Sequence, residues 1–214
     1  IIAKPGIKSI KDLKGKTVAT ELGTVEHFAL LQALAKHGMT EKDIQFKNLA
    51  VPDAAAAFIA GKVDAAGVWQ PWINQIQKEG KGTAIFTSKE IPGLIPDLLV
   101  FQEKVATERA AEVQKIVATW FDVLAFIKSN EKEAIEIMAK VVEQKPEDYL
   151  AFMPGTKFFD VDANLHAFEK RADDSSLAGS GKKIAEFLKG IDLIKTVPDF
   201  ESALEPKFVK ALKK

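Results

Sequence analysis

Apolar and polar positions in the first half of the chain alternate between the period of a strand and the period of a helix. Residues 17–20, Thr-Val-Ala-Thr, form a short apolar run that predicts a buried strand. Residues 25–37 repeat apolar side chains at helical spacing, with Thr24 placed as an N-cap and Gly38 as a left-handed C′ residue. The predicted apolar face consists of Phe28, Leu31, Leu34 and Ala35. A strand therefore turns directly into an amphipathic helix at the sequence Glu-Leu-Gly-Thr.

The same succession of strand and helix continues along the first half. Further strands are predicted at 1–4, 43–49, 63–69, 83–88 and 97–102, a helical turn at Ile10–Leu13, and helices at 52–62 and 71–80. Pro52 and Pro71 lie at the starts of those two helices, and Gly80 lies at the end of the second. Strands that alternate with helices predict βαβ units and a mainly parallel sheet. Residues 10–96 are therefore expected to form an α/β unit.

The second half of the chain loses the strand pattern and is predicted to be helical. Helices are predicted at 107–129, 130–144, 146–153, 161–170 and 177–191, followed by a helical tail that Pro206 interrupts. Amphipathic helices need an apolar surface to cover, and residues 1–4 and 97–102 are the only predicted strands left for them. We therefore expect the helices of residues 105–214 to pack on a sheet contributed by residues that precede Ile1.

Composition and charge exclude several classes of function. The chain has 214 residues with 30 Lys and Arg against 30 Asp and Glu, so its formal net charge is zero. A nucleic-acid-binding domain would need an excess of positive charge, and only Arg109 and Arg171 could bind an anion through a guanidinium. Without cysteine there are no disulfides, thiolate metal sites or cysteine nucleophiles. No apolar run reaches the roughly 18 residues of a membrane span. The start at Ile1, which lacks Met and a signal-peptide pattern, is interpreted as internal.

Three stretches of the sequence carry a resemblance to a known family. They are GIKSIKDLKGKTVATELGTVEHFALLQALAKHGM, AAAAFIAGKVDAAGVWQPW and TWFDVLAFIKSNEKEAIEIMAK. In this order they resemble the solute-binding proteins of ABC importers for nitrate, taurine and aliphatic sulfonates, of the NMT1/THI5-like superfamily. The most specific parts are DLKGKTVA, the strand-to-helix corner and GKVDAAGVWQPW.

The resemblance implies an α/β fold of the periplasmic-binding-protein type II class, in which two lobes joined by a hinge hold a ligand in the cleft between them. On that basis, residues 9–97 are the complete second lobe, and residues 1–8 and 98–103 are hinge crossover strands. Residues 104–214 would be the helical C-terminal part of the first lobe, which is incomplete in this chain.

The resemblance also implies a function, a compartment and partners. It implies a non-enzymatic receptor for a small solute such as a sulfonate, taurine or nitrate, which delivers the solute to ABC permease membrane subunits. The expected location is periplasmic or extracellular, with lipid anchoring left open. No cofactor, metal or nucleic acid is expected, whereas a second chain or a swapped copy could cover the incomplete lobe. The alternatives are an enzyme on the same scaffold, of the thiamine-pyrimidine or menaquinone biosynthesis type, and a sensory ligand-binding domain.

The corner after residues 17–20 is the first candidate site. A helix N-terminus offers unpaired N–H groups and partial positive charge, which suit a sulfonate, nitrate or carboxylate. Simple capping by Thr24 is the alternative. Glu21 could face the solute or a backbone donor, whereas Glu26 is interpreted as a first-turn carboxylate favoured by the helix dipole. His27 is either a residue beside the cap or a ligand contact, and no second histidine has metal-ligand spacing with it.

The second candidate site is the sequence Val-Trp-Gln-Pro-Trp, where another strand ends and another helix begins. Ligands bind at the carboxyl edge of parallel strands in open α/β sheets. We expect Trp69 and Gln70 to contact the solute and Trp72 to pack in the core, and we interpret Pro-Asp at 52–53 mainly as helix initiation. The predicted ligand-binding set is Glu21, Gly23, Thr24, Val25, His27, Trp69 and Gln70.

Overall fold

A computed structural model describes residues 1–79 and 82–213 of the chain. The chain divides into two compact units. The first comprises Ile1–Ile95 and Lys183–Val197, and the second comprises Pro96–Lys182 and Pro198–Lys214. The sequence-based division placed residues 183–197 with the C-terminal helices, but in the structure Ile184 and Phe187 pack on the core of the first unit.

The first unit is built on a single sheet of five strands. The strands are β1 (Ile2–Ala3), β2 (Thr17–Thr20), β3 (Gln45–Asn48), β4 (Ala65–Ala66) and β5 (Thr83–Ala84). Their order is β3-β2-β4-β1-β5. Strand β2 runs parallel to β3 and to β4, whereas β1 runs antiparallel to β4 and to β5. The mainly parallel sheet is therefore confirmed, with β1 as the strand that points the other way.

The helices of the first unit follow the strands as predicted. They are α1 (Val25–Lys36), α2 (Val51–Ile59) and α3 (Trp72–Lys78), with 3₁₀ turns at Ile10–Leu13, Glu41–Asp43 and Ser88–Glu90. The chain leaves α1 through Gly38 at φ +72° and leaves α2 through Gly61 at φ +74°, conformations that glycine adopts without strain. Gly80, the predicted end of α3, lies outside the described residues.

The core of the first unit lies on both faces of the sheet. Neighbouring residues of a strand point to opposite faces, so Val18 packs with the α1 side chains Phe28 and Leu34. Ala19 packs on the other face with Val51 and Phe58 of α2. The sheet is thus covered by a helix on each side, which explains why the central strands β1, β2 and β4 are buried while the edge strand β3 carries exposed polar residues.

The second unit is helical throughout its described residues. Its helices are α4 (Glu103–Glu108), α5 (Ala110–Ser129), α6 (Glu131–Val141), α7 (Pro146–Leu150), α8 (Val161–Ala167), α9 (Leu177–Gly190), α10 (Phe200–Ala203) and α11 (Lys207–Lys210), with α9 ending in the first unit. The helix predicted at 107–129 instead begins at Glu103 and is broken at Arg109, whose φ of −119° and ψ of 33° leave the helical region. The strand predicted at 97–102 is not formed.

Helix α5 has an apolar stripe that the described residues leave uncovered. Ile116, Trp120 and Val123 follow one another at helical spacing and are 48%, 46% and 43% exposed. The adjacent side of α5 is buried, because Val113 and Val117 pack against Phe208 and Val209 of α11. No helix in the described part of the chain is long and apolar enough to span a membrane.

Candidate functional site

The candidate site lies where β2 turns into α1. The chain passes through Gly23 at φ +80°, a left-handed conformation that favours glycine. The carbonyl oxygen of Glu21 accepts hydrogen bonds from the Thr24 hydroxyl at 2.7 Å and from the Thr24 amide at 3.4 Å. These contacts close the corner into a compact turn through the backbone of Glu21, whose side chain is half-buried.

A neighbouring strand fixes the same corner. The side-chain oxygen of Asn48, at the end of β3, accepts a hydrogen bond from the Leu22 amide at 2.9 Å. The amide of Leu49 donates to the carbonyl oxygen of Thr20 at 3.1 Å. The sequence analysis did not single out Asn48. Asn48 could have been predicted from its position at the end of a strand parallel to β2, since the carboxyl ends of parallel strands meet at one edge of the sheet.

Thr24 occupies the predicted N-cap position, but its hydroxyl points away from the helix. The hydroxyl donates back to Glu21, and it accepts no hydrogen bond from an α1 amide. The first-turn amides of Val25, Glu26 and His27 have no intrahelical acceptor. Val25 is 49% exposed. The helix N-terminus therefore keeps unpaired donors and partial positive charge at the sheet edge.

His27 is fully buried and is held on both sides by the protein. Its Nδ1 accepts a hydrogen bond from the Gly23 amide at 3.3 Å, and its Nε2 lies 2.6 Å from Oε2 of Glu41. A neutral imidazole that accepts at Nδ1 carries its proton on Nε2, so Nε2 donates to Glu41. The ring also packs against Phe46 and Phe187, with centroid distances of 4.9 and 5.4 Å. His27 therefore holds the corner in position through these contacts. A direct contact of His27 with solute remains a prediction.

The segment after α9 presses against the corner. A Cβ atom on Gly23 would lie 2.3 Å from a methyl carbon of Leu193, so that side chain would have to move, and the φ of Gly23 adds a second reason for glycine. Asp192 adopts a φ of +60°, which is uncommon outside glycine. Leu193 is itself 55% exposed. Leu193 was not predicted to lie near the corner, because residues 104–214 were all assigned to the other lobe.

Three residues from different elements meet beneath the α1 N-terminus. A Cβ atom on Gly67, the residue after β4, would lie 3.0 Å from the Thr20 hydroxyl oxygen and 3.2 Å from Cβ of Glu26. Thr20 is 0% and Glu26 5% exposed. The Thr20 hydroxyl and both carboxyl oxygens of Glu26 have no hydrogen-bond partner within residues 1–79 and 82–213.

Burial governs the charge state of Glu26. It raises the pKa of the carboxyl group, and the nearby Thr24 side chain and the backbone amide of Glu26 itself offset part of that effect. The negative charge of Glu21 raises the pKa further. The interpretation of Glu26 as a carboxylate stabilised by the helix dipole is therefore incomplete, since the cost of removing it from water dominates.

The second predicted set lies on the same edge of the sheet, beyond β4. Trp69 is 44% exposed. The side chain of Gln70 caps α3, because its Oε1 accepts from the Asn74 amide at 3.2 Å and its Nε2 donates to the Asn74 side chain at 3.2 Å. Trp72 packs on the core beside α2, as expected. Contacts of Trp69 and Gln70 with solute stay predictions. No group of three or more metal-ligating side chains occurs in the part of the chain that the structure describes.

The chain is similar in sequence to proteins named for solute binding. It is 29% identical over 171 residues to an Escherichia coli (strain K12) protein named for aliphatic sulfonate binding, an alignment that covers 78% of this chain and 53% of that protein. It is 35% identical over 81 residues to the taurine-binding periplasmic protein of the same strain, with 38% of this chain and 25% of that protein covered. The chain thus spans about half the length, or less, of these curated relatives.

Solved structures share the fold. The periplasmic aliphatic sulphonate binding protein SsuA from Escherichia coli matches 95% of this chain and 64% of its own, with a TM-score of 0.74 and 22% identity. The desulfurization enzyme DSZB matches 98% of this chain and 74% of its own, with a TM-score of 0.64 and 15% identity. At such identities the likeness confirms the predicted α/β fold of the periplasmic-binding-protein type.

The family assignment rests on the sequence match. The NMT1/THI5-like family matches residues 1–134, a stretch that includes the whole sheet, the corner before α1 and the strand end before α3. Since this stretch is more than half of the chain, the protein belongs to the NMT1/THI5-like family, as the resemblance indicated.

Proposed function

We propose that the protein is a solute-binding receptor of an ABC importer, which captures a small sulfonate, taurine or a similar solute and passes it to membrane permease subunits. The observation that carries the proposal is the corner between β2 and α1. There the first-turn amides of α1 lack intrahelical acceptors, so the helix N-terminus can donate hydrogen bonds to an anion. Relatives named for sulfonate and taurine binding support the solute class, and the periplasmic one supports a periplasmic location.

Binding without chemistry agrees with how the corner is built. Acyl or group transfer needs a nucleophile beside a free general base. His27 is the histidine of this corner, and both of its ring nitrogens are engaged, one by the Gly23 amide and the other by Glu41. An enzyme such as DSZB shares the fold, but fold likeness alone does not carry an activity over.

Isothermal titration calorimetry tests the proposal. The full-length protein is titrated with taurine, ethanesulfonate, nitrate and acetate. We expect saturable binding of at least one sulfonate. Conversion of a bound sulfonate into a product, followed by mass spectrometry, would instead support the enzyme. Lack of binding by all four solutes would refute the proposed function.

A further inference from the structure

The Glu26 carboxyl group accepts no hydrogen bond of normal geometry from the described residues, unlike the carboxylates of Asp12 and Asp64. The Asp64 carboxylate accepts the Thr17 amide at 3.0 Å, and the Asp12 carboxylate accepts the Lys8 amide at 2.9 Å. These hydrogen bonds lower the pKa of both aspartates. Glu26 is more deeply buried, yet both of its carboxyl oxygens lack a partner among the described residues. An unpaired buried carboxylate is costly to keep, so its missing donor needs an explanation.

The chemistry of the two unpaired groups defines the donor. An ionised carboxylate only accepts hydrogen bonds, whereas a hydroxyl donates or accepts. Thr20 and Glu26 lie against the same backbone position, Gly67, where a side chain would not fit. A small group with several N–H donors and a positive charge matches the hydrogen-bonding chemistry of both side chains. An ammonium group, with three donors, has these properties.

A metal ion does not fit the same place. Calcium and magnesium require about six or more oxygen ligands, most of them anionic or carbonyl groups. The junction offers one carboxyl group and one hydroxyl group as side-chain ligands. An anion is disfavoured there as well, because the charges of Glu26 and the neighbouring Glu21 repel it.

We propose that Glu26, assisted by the Thr20 hydroxyl, binds an ammonium group of the solute, so that the preferred solute carries a positive charge as well as an anionic group. The inference rests on the proposed function, in which the first-turn amides of α1 bind the anionic group. The preferred class is then a short zwitterion, such as an aminosulfonate, rather than a plain alkanesulfonate. This assigns Glu26, and not only Glu21, as the acidic residue that sets the charge of the solute.

A matched set of solutes tests the assignment by calorimetry on the same protein. Taurine carries the ammonium group, isethionate replaces it by a hydroxyl group, and ethanesulfonate lacks both. We expect taurine to bind at least about tenfold more tightly than ethanesulfonate, with isethionate between them, as a charge-assisted hydrogen bond implies. In Glu26→Gln the taurine affinity should fall about tenfold or more, while ethanesulfonate binding stays unchanged or improves. Thr20→Val should reduce taurine affinity by a smaller factor.

Glu131→Gln is the control variant, because Glu131 also lies in the first turn of a helix, α6, but is exposed. It should leave all three affinities unchanged. Equal binding of taurine and ethanesulfonate, or an undiminished preference in Glu26→Gln, would overturn the inference and leave the receptor function standing. Internal water would then be the partner of Glu26.

Two further solutes distinguish the proposed receptor function from the proposed role of Glu26. β-Alanine and ethanolamine carry the ammonium group without a sulfonate. Binding of either one that Glu26→Gln abolishes, together with no binding of any sulfonate, would refute the sulfonate class and retain the role of Glu26. Lack of binding by every sulfonate and every amine would refute both proposals.

Discussion

The backbone amide of Gly23 donates a hydrogen bond to Nδ1 of His27, 3.3 Å away across the first turn of α1. The bond ties the left-handed corner to a ring that is fully buried and bonded to Glu41 on its other side. The corner is therefore held in one conformation before any solute arrives. A preorganised site loses less conformational entropy on binding than a mobile one.

Gly23 should be sensitive to substitution for two separable reasons. Gly23→Ala forces a side chain into a left-handed conformation and against Leu193, and we expect the free energy of unfolding to fall by about 2–4 kcal/mol. Gly38→Ala is the matched control, because Gly38 has a similar φ of +72° with no atom within 4 Å of an added Cβ. It should cost only about 1 kcal/mol. Urea denaturation of both variants measures the difference.

The contact with Leu193 can be tested by a double-mutant cycle. Leu193→Ala removes the methyl carbon that a Cβ on Gly23 would meet at 2.3 Å. In that background Gly23→Ala should cost less than in the native protein, by about 1 kcal/mol or more. Strict additivity of the two substitutions would show that the segment after α9 does not press on the corner in solution.

His27 should contribute to stability as a core residue. His27→Ala removes a buried ring, its contacts with Phe46 and Phe187, and its hydrogen bonds to Gly23 and Glu41. We expect a loss of about 2–4 kcal/mol in the free energy of unfolding. His37→Ala, at the exposed end of the same helix, should change it by less than about 0.5 kcal/mol. Equal effects in thermal denaturation would contradict the buried role.

Glu26 should make stability depend on pH. Because burial raises the pKa of Glu26 above its usual 4.5, the folded state holds the proton more tightly than the unfolded state does. The resulting stabilisation is fully present below the unfolded pKa and is lost as pH rises through the folded one. Glu26→Gln should therefore gain stability over the native protein between about pH 4 and about pH 7.5. Denaturation curves at both pH values measure this, and a constant difference would contradict it.

Substitution of the two tryptophans that flank Pro71 should affect different properties, one the solute affinity and the other the free energy of unfolding. Trp69 is 44% exposed, so Trp69→Ala should weaken solute binding and leave the free energy of unfolding within about 0.5 kcal/mol. Trp72 packs on the core, so Trp72→Ala should cost about 2–4 kcal/mol. Calorimetry and denaturation on both variants provide the two measurements. Unchanged solute affinity in Trp69→Ala would remove Trp69 from the site.

Local sequence signals were enough where an element depends on its own residues. The turn at Ile10–Leu13 and the strand at Thr17–Thr20 match the prediction at both ends, and α1 begins after Thr24 and ends before Gly38 as predicted. The other strands are shorter in the structure than predicted, because their extent depends on the strands with which they pair. The predicted strand at 63–69 forms only at Ala65–Ala66, where it pairs with both β1 and β2.

The α/β pattern, the family and the corner after β2 could be predicted without the structure, because periodicity, caps and a left-handed glycine are encoded by neighbouring residues. Only the tertiary structure decided what surrounds that corner. Asn48, Gly67 and Leu193 reach it from elements distant along the chain. The same packing removed His27 and Glu26 from water. It satisfied His27 through Gly23 and Glu41, and it left the carboxyl group of Glu26 without a hydrogen-bond partner among the described residues.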